Sequence, residues 1–297
     1  MLNNSIAPTR LNPSFGAITY ADNDRHGNYN ALIFDVRGRF SRGFVDASYT
    51  RSRSKDDSLY YPDSEGLNPQ QYYGPSIFDV PNRFSFSFNY QLKGLNGGRG
   101  TVGYLTGGWG ISGTSIFQSG YPLNPENVNS YQPVCANTAS NAPPCPSAAN
   151  PAIGYGATSG DYLGDGDNLA YPDVVSYSQS HSNGSWLTGA IPKSDFSVPT
   201  FSTGGANGNE RAMQFRGPNF AETNINFYKD THITERVVFQ FRFDIFNFFN
   251  RPNYVDFTGF SNIQTGGVDM NFPDGNFGQA TSSHEPRCWE LGGKISF

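Results

Sequence analysis

The sequence predicts an all-β fold: an antiparallel transmembrane β-barrel segment of about eight strands with long extracellular loops. Three observations predict it. Apolar and polar residues alternate with period two in repeated segments of strand length, so each segment has one apolar and one polar face. Aromatic residues form 15% of the 297, with 25 Phe and 17 Tyr, although the mean hydropathy is polar at −0.51. Short and long connections follow one another in turn. A soluble core would draw more on Leu, Ile and Val, whereas a membrane barrel combines aromatic girdles with a polar interior and polar loops. The 34 Gly and 20 Pro argue against a helical protein. No apolar run approaches the roughly 18 residues of a membrane-spanning helix.

The alternation can be followed from strand to strand. Residues 15–20 form a short, weak segment. Residues 28–40 place Leu32, Phe34, Val36 and Phe40 on one face and Asp35, Arg37 and Arg39 on the other. Residues 44–53 set Val45, Ala47 and Tyr49 against Asp46, Ser48 and Thr50. The clearest segment is 83–92, with Phe84, Phe86, Phe88, Tyr90 and Leu92 opposed by Ser85, Ser87, Asn89 and Gln91. Residues 107–118 carry Trp109, Ile111 and Phe117 on one parity, and 221–229 oppose Ile225 and Phe227 to Glu222, Asn224 and Asn226. Residues 237–249 set Val237, Phe239, Phe241, Phe243 and Ile245 against Gln240, Arg242 and Asp244. The series closes at 288–297, where Trp289, Leu291, Ile295 and Phe297 share the apolar parity. This ending has the form of a barrel-closing signal, an apolar strand finishing on an aromatic ring at the membrane interface.

Connections 41–43, 93–106 and 230–236 are short or moderate; 54–82, 119–220 and 250–287 are long. That order matches the periplasmic turns and extracellular loops of outer-membrane barrels. It places the last residue in the periplasm. A β-sandwich has no reason to sort its loops this way. An Arg on the lipid side costs about 2–4 kcal/mol at mid-membrane. Asp35, Arg37, Arg39, Arg242 and Asp244 are therefore expected to face the lumen, with the two aspartates as counter-charges. The start, 1–10, lacks the charged and apolar regions of a signal peptide, and the expectation is that the chain is the tail of something longer.

The chain resembles the C-terminal third of a TonB-dependent outer-membrane receptor. In particular it resembles the branch carrying an N-terminal carboxypeptidase-regulatory-like domain. The pieces that carry the resemblance are Asn28-Tyr-Asn-Ala-Leu32, Val80-Pro-Asn-Arg-Phe84, the run 108–122 from Gly108-Trp-Gly to Gly-Tyr-Pro122, and Phe215-Arg-Gly-Pro-Asn-Phe220. Ile233-Thr-Glu-Arg-Val237, the run 241–253 ending Asn-Arg-Pro-Asn253, and Phe277-Gly-Gln-Ala280 follow in the family's order. Such receptors are barrels of about 22 strands around a plug. The resemblance thus implies one domain over 1–297, a partial C-terminal barrel with its longest extracellular loop at 119–220 and no plug domain, and not transport-competent alone. It also implies a location in the bacterial outer membrane. The partners it implies are outer-membrane lipid, the barrel-assembly machinery, and the remaining barrel and plug.

Other constellations carry less. Gly108-Trp-Gly-Ile-Ser-Gly113 matches a dinucleotide fingerprint in letters, but it lies in a strand rather than at a strand-to-helix turn. Asp161, Asp165, Asp167 and Asn168 offer hard oxygen ligands between glycines, a candidate Ca²⁺ loop that lacks the bidentate acid of a full EF-hand. No other cofactor is implied. Cys135 and Cys145 lie close enough in sequence to form a disulfide in an oxidising compartment; Cys288 has no evident partner. Phe246, Phe248, Phe249, Tyr254, Phe257 and Phe260 suggest girdle and loop packing, or a ligand-stacking platform. His26, His181, His232 and His284 are scattered, and no hydrolase or zinc motif appears, so no enzyme is expected. The net charge of −5 gives no support for nucleic-acid binding. The function expected is receptor or transporter barrel wall, lumen lining and surface loops. The alternatives are a standalone eight-stranded surface or adhesion barrel and a secreted soluble β-rich binding module.

Overall fold

The computed structural model describes residues 26–57, 73–95, 100–128, 169–170, 172–197, 209–211, 213–255, 267–272 and 275–297. Along the chain run β1 (Gly27–Phe40), β2 (Gly43–Asp56), β3 (Gly74–Pro75) and β4 (Asn82–Gln91). A short helix α1 (Gly100–Thr106) precedes β5 (Trp109–Gln118). Then come β6 (Pro122–Leu123), β7 (Glu126–Val128), β8 (Leu169–Ala170), β9 (Asp173–Val174), β10 (Phe196–Ser197) and β11 (Phe215–Arg216). The long β12 (Phe220–His232) and β13 (Val238–Phe246), the short β14 (Asn271–Phe272) and β15 (Cys288–Ser296) complete the series.

The main sheet has eight strands, ordered β1-β2-β4-β5-β12-β13-β15 with β3 added to the end of β2. Every pairing within it is antiparallel. Strands adjacent in the wall are thus successive long alternating segments, as a meander requires. Seven of the predicted segments become its long strands; the weak 15–20 segment lies outside the described residues. Among the described residues β1 pairs only with β2, and β15 only with β13, so both edges are open.

The 93–106 connection, read from sequence as a simple turn, holds α1. Seven residues without an acidic first turn give too little signal to recognise. Lys229 explains why the helix persists. Its Nζ donates to the carbonyls of Tyr104 (3.1 Å), Leu105 (3.2 Å) and Gly107 (2.7 Å), at the helix's negative end. The strand predicted over 237–249 stops at Phe246 because Asn247 turns left-handed at φ 46°, a conformation Asn tolerates.

The buried core lies outside the wall. Leu123, Trp186, Ile191, Phe196, Phe215, Val268, Met270, Phe272 and Phe277 pack together, all from the connections predicted as long loops. Phe196 is the hub, with ring centroids 5.1 Å from Phe277, 5.4 Å from Phe215 and 6.0 Å from Phe272. These two connections therefore form a folded cap at one end of the sheet. Gly278 fits this core because its φ is +75° and a Cβ would stand 2.3 Å from the Ile191 carbonyl oxygen.

Candidate functional site

Residues opposite each other in a ladder share a face, so the register assigns every wall residue to a side. Phe34 lies opposite Tyr49, Tyr49 opposite Phe84, and Phe84 opposite Phe117. Ile111 then lies opposite Phe227, Phe227 opposite Phe243, and Phe243 opposite Leu291. The apolar parities of all seven long strands thus fall on one continuous face. Its rings touch at Phe84–Phe117 (6.1 Å), Phe86–Phe88 (5.7 Å), Phe40–Tyr90 (6.0 Å) and Phe243–Trp289 (6.1 Å).

Apart from α1 at one end and the cap at the other, no described residue covers this face, and even on interior strands Phe117 is 43% exposed and Phe227 37%. Val36 is 65% exposed, Leu291 63% and Phe297 fully exposed. Soluble monomers rarely leave more than a few hundred Å² of contiguous apolar surface bare. In its middle and at its inner end the polar members are satisfied locally: Ser115 and Thr223 hydrogen-bond each other at 3.0 Å, and Lys229 caps α1. At its outer end it carries Arg51, Arg53 and Lys55.

The opposite face carries the polar parity of each strand, with Ile33, Phe44, Ile116 and Val238 as apolar members among it. Asp35, Arg37 and Arg39 lie there on β1, and Arg242 and Asp244 on β13. Ser112 Oγ donates to Asn226 Oδ1 (3.3 Å), and Asn226 Nδ2 donates to Asp244 Oδ1 (2.5 Å). Arg242 Nη2 donates to the same Asp244 oxygen at 3.1 Å. A polar chain thus crosses β5, β12 and β13. Tyr228 lies directly over Gly110, where a Cβ would meet its ring at 2.1 Å, and reaches β4 through Asn89 (3.2 Å). The bare glycine is what lets the tyrosine lie flat and bridge three strands. Arg37 pairs with Asp46 at 3.0 Å, not with the expected Asp35. Asp46 lies directly opposite Arg37 on β2, and only the register reveals that.

The junction of wall and cap is tied by Arg216. Its guanidinium forms an ion pair with the Asp79 carboxylate, and Nη1 donates to the Asp79 carbonyl at 2.7 Å. Asp79, 2% exposed, also accepts from the Ser54 amide at 2.5 Å, so β2, the 73–81 segment and the cap meet here. Ser119 donates its amide to the Asn82 carbonyl (2.9 Å), and the Asn219 side chain accepts the Gly120 amide (3.3 Å). A cleft of about 160 Å³ lies here, with Asn82, Ser119, His181, Trp186 and Arg216 in its lining. Asn253 stands in for a missing ladder partner of Ala221. It accepts the Ala221 amide at 3.0 Å and donates to its carbonyl at 2.9 Å, both buried. Asp79, Arg216 and Asn253 were not singled out as site residues from the sequence. Their one signal was membership of, or adjacency to, the ordered motif pieces 80–84, 215–220 and 241–253, which meet at this junction.

Glu210, in the cap, is fully buried, and desolvation raises its carboxyl pKa to about 8. Burial, then the nearby Glu210 charge, also raises the Tyr177 phenol. The folded state therefore holds a proton on Glu210 that the unfolded chain releases near pH 4.5. Its stabilisation is fully present below about 4.5 and is lost as pH rises through about 8. The loss is on the order of 4 kcal/mol if the whole shift is expressed. Unfolding of the cap followed against pH should show this decline, and Glu210→Gln should flatten it. An unchanged profile in E210Q would assign the pH dependence elsewhere.

Among the described residues no cluster of His, Cys, Asp or Glu is arranged to hold a metal. The candidate Ca²⁺ ligands Asp161, Asp165, Asp167 and Asn168 lie outside the described residues. So do Cys135 and Cys145, together with Phe257 and Phe260. Cys288 is exposed on β15. Phe248 and Phe249 stack edge to face at 5.2 Å, and Tyr254 joins the cap core. His181 enters the cleft at the junction, whereas His26 pairs with Asp57 and His284 stacks on Phe220.

A sheet with one bare apolar face, one hydrogen-bonded polar face and an elaborated cap at one end defines the wall of a membrane-spanning β-barrel. The chain belongs to the outer membrane beta barrel domain family, which it matches over residues 2–289. Membership implies an outer-membrane location in bacteria. No curated protein matches the chain. No helix among the described residues is long and apolar enough to cross a membrane, which says nothing against crossing by strands.

Proposed function

We propose that this chain is the C-terminal wall segment of a TonB-dependent-type outer-membrane receptor, and that it works by structure rather than catalysis. Its apolar face meets lipid. Its polar face, with Asp35, Arg37, Arg39, Arg242 and Asp244, lines the lumen, and its cap forms part of the outer vestibule. The remaining barrel and a plug are its partners, and the barrel-assembly machinery inserts it through the strand ending Trp289, Leu291, Ile295 and Phe297. One observation carries this reading: the two edge strands, β1 and β15, show the same division of faces as the interior strands yet have no neighbour beyond them among the described residues. A wall that continues on both sides needs such edges. The ordered motif pieces of the receptor family, three of which (80–84, 215–220 and 241–253) meet at the junction, support the same reading.

Hydrogen exchange on the full chain inserted in detergent or lipid tests it. The outward amides of β1 and β15 are expected to exchange far faster than those of β4 and β12, since unpaired edge groups lack ladder partners. Equal protection of all seven long strands would mean that the sheet closes on itself, which is the standalone surface barrel instead.

A further inference from the structure

The apolar face changes character at its outer end. On β2 the parity that carries Val45, Ala47 and Tyr49 continues as Arg51, Arg53 and Lys55. The register confirms the side: Arg51 lies opposite Leu32 on β1 and Asn82 on β4, Arg53 opposite Asn30, and Lys55 opposite Asn28. Three cations therefore stand on the lipid-facing surface, spaced about 6.7 Å apart along the strand. They begin one ladder step beyond the tyrosine that ends the apolar band. This is the end of β2 that carries the long connection and the cap.

No acid among the described residues compensates their charge. The ion pairs Arg37–Asp46, Arg216–Asp79 and Arg242–Asp244 among the described residues include none of these three. The nearest acid along the chain, Asp56, lies opposite Gly27 on the other face, and Asp57 is engaged by His26. What surrounds the cations positions them. Arg51 Nη1 and the Tyr49 hydroxyl both donate to Asn82 Oδ1 at 2.8 Å. Lys55 lies over the Tyr73 ring at 5.4 Å, and Tyr73 OH accepts from Asn28 at 2.9 Å. Arg51 and Arg53 are exposed.

We infer that Arg51, Arg53 and Lys55 form a binding site for the phosphate groups of outer-leaflet lipid. A cation on a bilayer-facing surface just beyond the hydrocarbon meets headgroups. Guanidinium forks and an ammonium spaced along one strand suit several phosphates on one lipid or on neighbours. The site locks the vertical position of the wall and draws phosphorylated lipid to the rim beneath the cap. The inference rests on the lipid-facing assignment of the apolar face, which insertion into neutral lipid reports separately.

The test uses the full chain refolded into phosphatidylcholine vesicles and into the same vesicles doped with diphosphoryl lipid A, with unfolding followed by chaotrope titration. A basic residue near an anionic surface contributes roughly fivefold, so three contribute on the order of 100-fold to the folding equilibrium, less at high salt. The doped vesicles are expected to stabilise the wild-type chain by that order. R51Q/R53Q/K55Q should insert into phosphatidylcholine yet lose the gain. Arg53→Gln alone, which removes no hydrogen bond seen here, should lose about fivefold. Arg37→Gln, on the polar face, should keep the full gain. An equal gain in wild type and R53Q overturns the site, and so does equal protection by inorganic phosphate in undoped vesicles. Failure of the wild-type chain to insert into phosphatidylcholine overturns the lipid-face assignment and this site with it.

Discussion

Phe86→Arg is expected to destabilise the bilayer-inserted chain by about 2–4 kcal/mol, whereas Ser87→Arg, one residue along, is expected to cost far less. Phe86 lies in the middle of β4, stacked on Phe88, on the face that joins Ala47 of β2 and Ser115 of β5. An arginine there must place its guanidinium in hydrocarbon or distort the strand to reach the interface. Ser87 lies opposite Asp46 and Thr114 on the polar face, where water and a nearby carboxylate are available. Both variants add the same side chain to the same strand, so effects on refolding cancel between them. Chaotrope titration of the vesicle-inserted chain measures the difference. Equal costs, or a larger cost for S87R, would mean that the faces are assigned the wrong way round.

Arg216→Ala is expected to cost about 3–5 kcal/mol, because it leaves the Asp79 carboxylate buried without its cation. The dependence on that charge can be isolated. In an Asp79→Asn background no buried carboxylate remains, and the further cost of R216A should fall to the range of a neutral hydrogen bond, about 0.5–1.5 kcal/mol. The lesion should appear first as detachment of the cap: the 73–81 segment should become protease-sensitive while the long strands stay folded. A cost below 1 kcal/mol, or the same cost in both backgrounds, would show that the ion pair is not what ties cap to wall.

The wall was legible because its signal is local and repeated. Each long strand shows its faces within ten or so residues, and Phe84 to Gln91 does so without interruption. The charged members of the polar face could be listed for the same reason. Their partners could not, since Arg37 meets Asp46 only through a register that no single strand encodes. The cap was illegible for a stronger reason. Its core draws on residues near 123, 186–196, 215, 254 and 268–277, with no shared period, so 119–220 and 250–287 appear as polar loops. The Arg216–Asp79 pair spans 137 positions. Its local cue, an arginine beside Pro and Gly in a loop, reads as solvated surface. Lys229 misleads in the opposite direction, a charge on an apolar parity until the carbonyls of α1 are seen around it.

Site-directed spin labels placed singly at each position from Phe84 to Asn89 on β4 test the two-faced wall most directly. Labels at Phe84, Phe86 and Phe88 are expected to be relaxed by a lipid-soluble collider, and those at Ser85, Ser87 and Asn89 by a water-soluble one, alternating with period two. Equal accessibility at both parities would contradict the lipid-facing wall. So would labels at Phe84, Phe86 and Phe88 shielded from both colliders, because that face would then be a protein interior rather than the outside of a barrel.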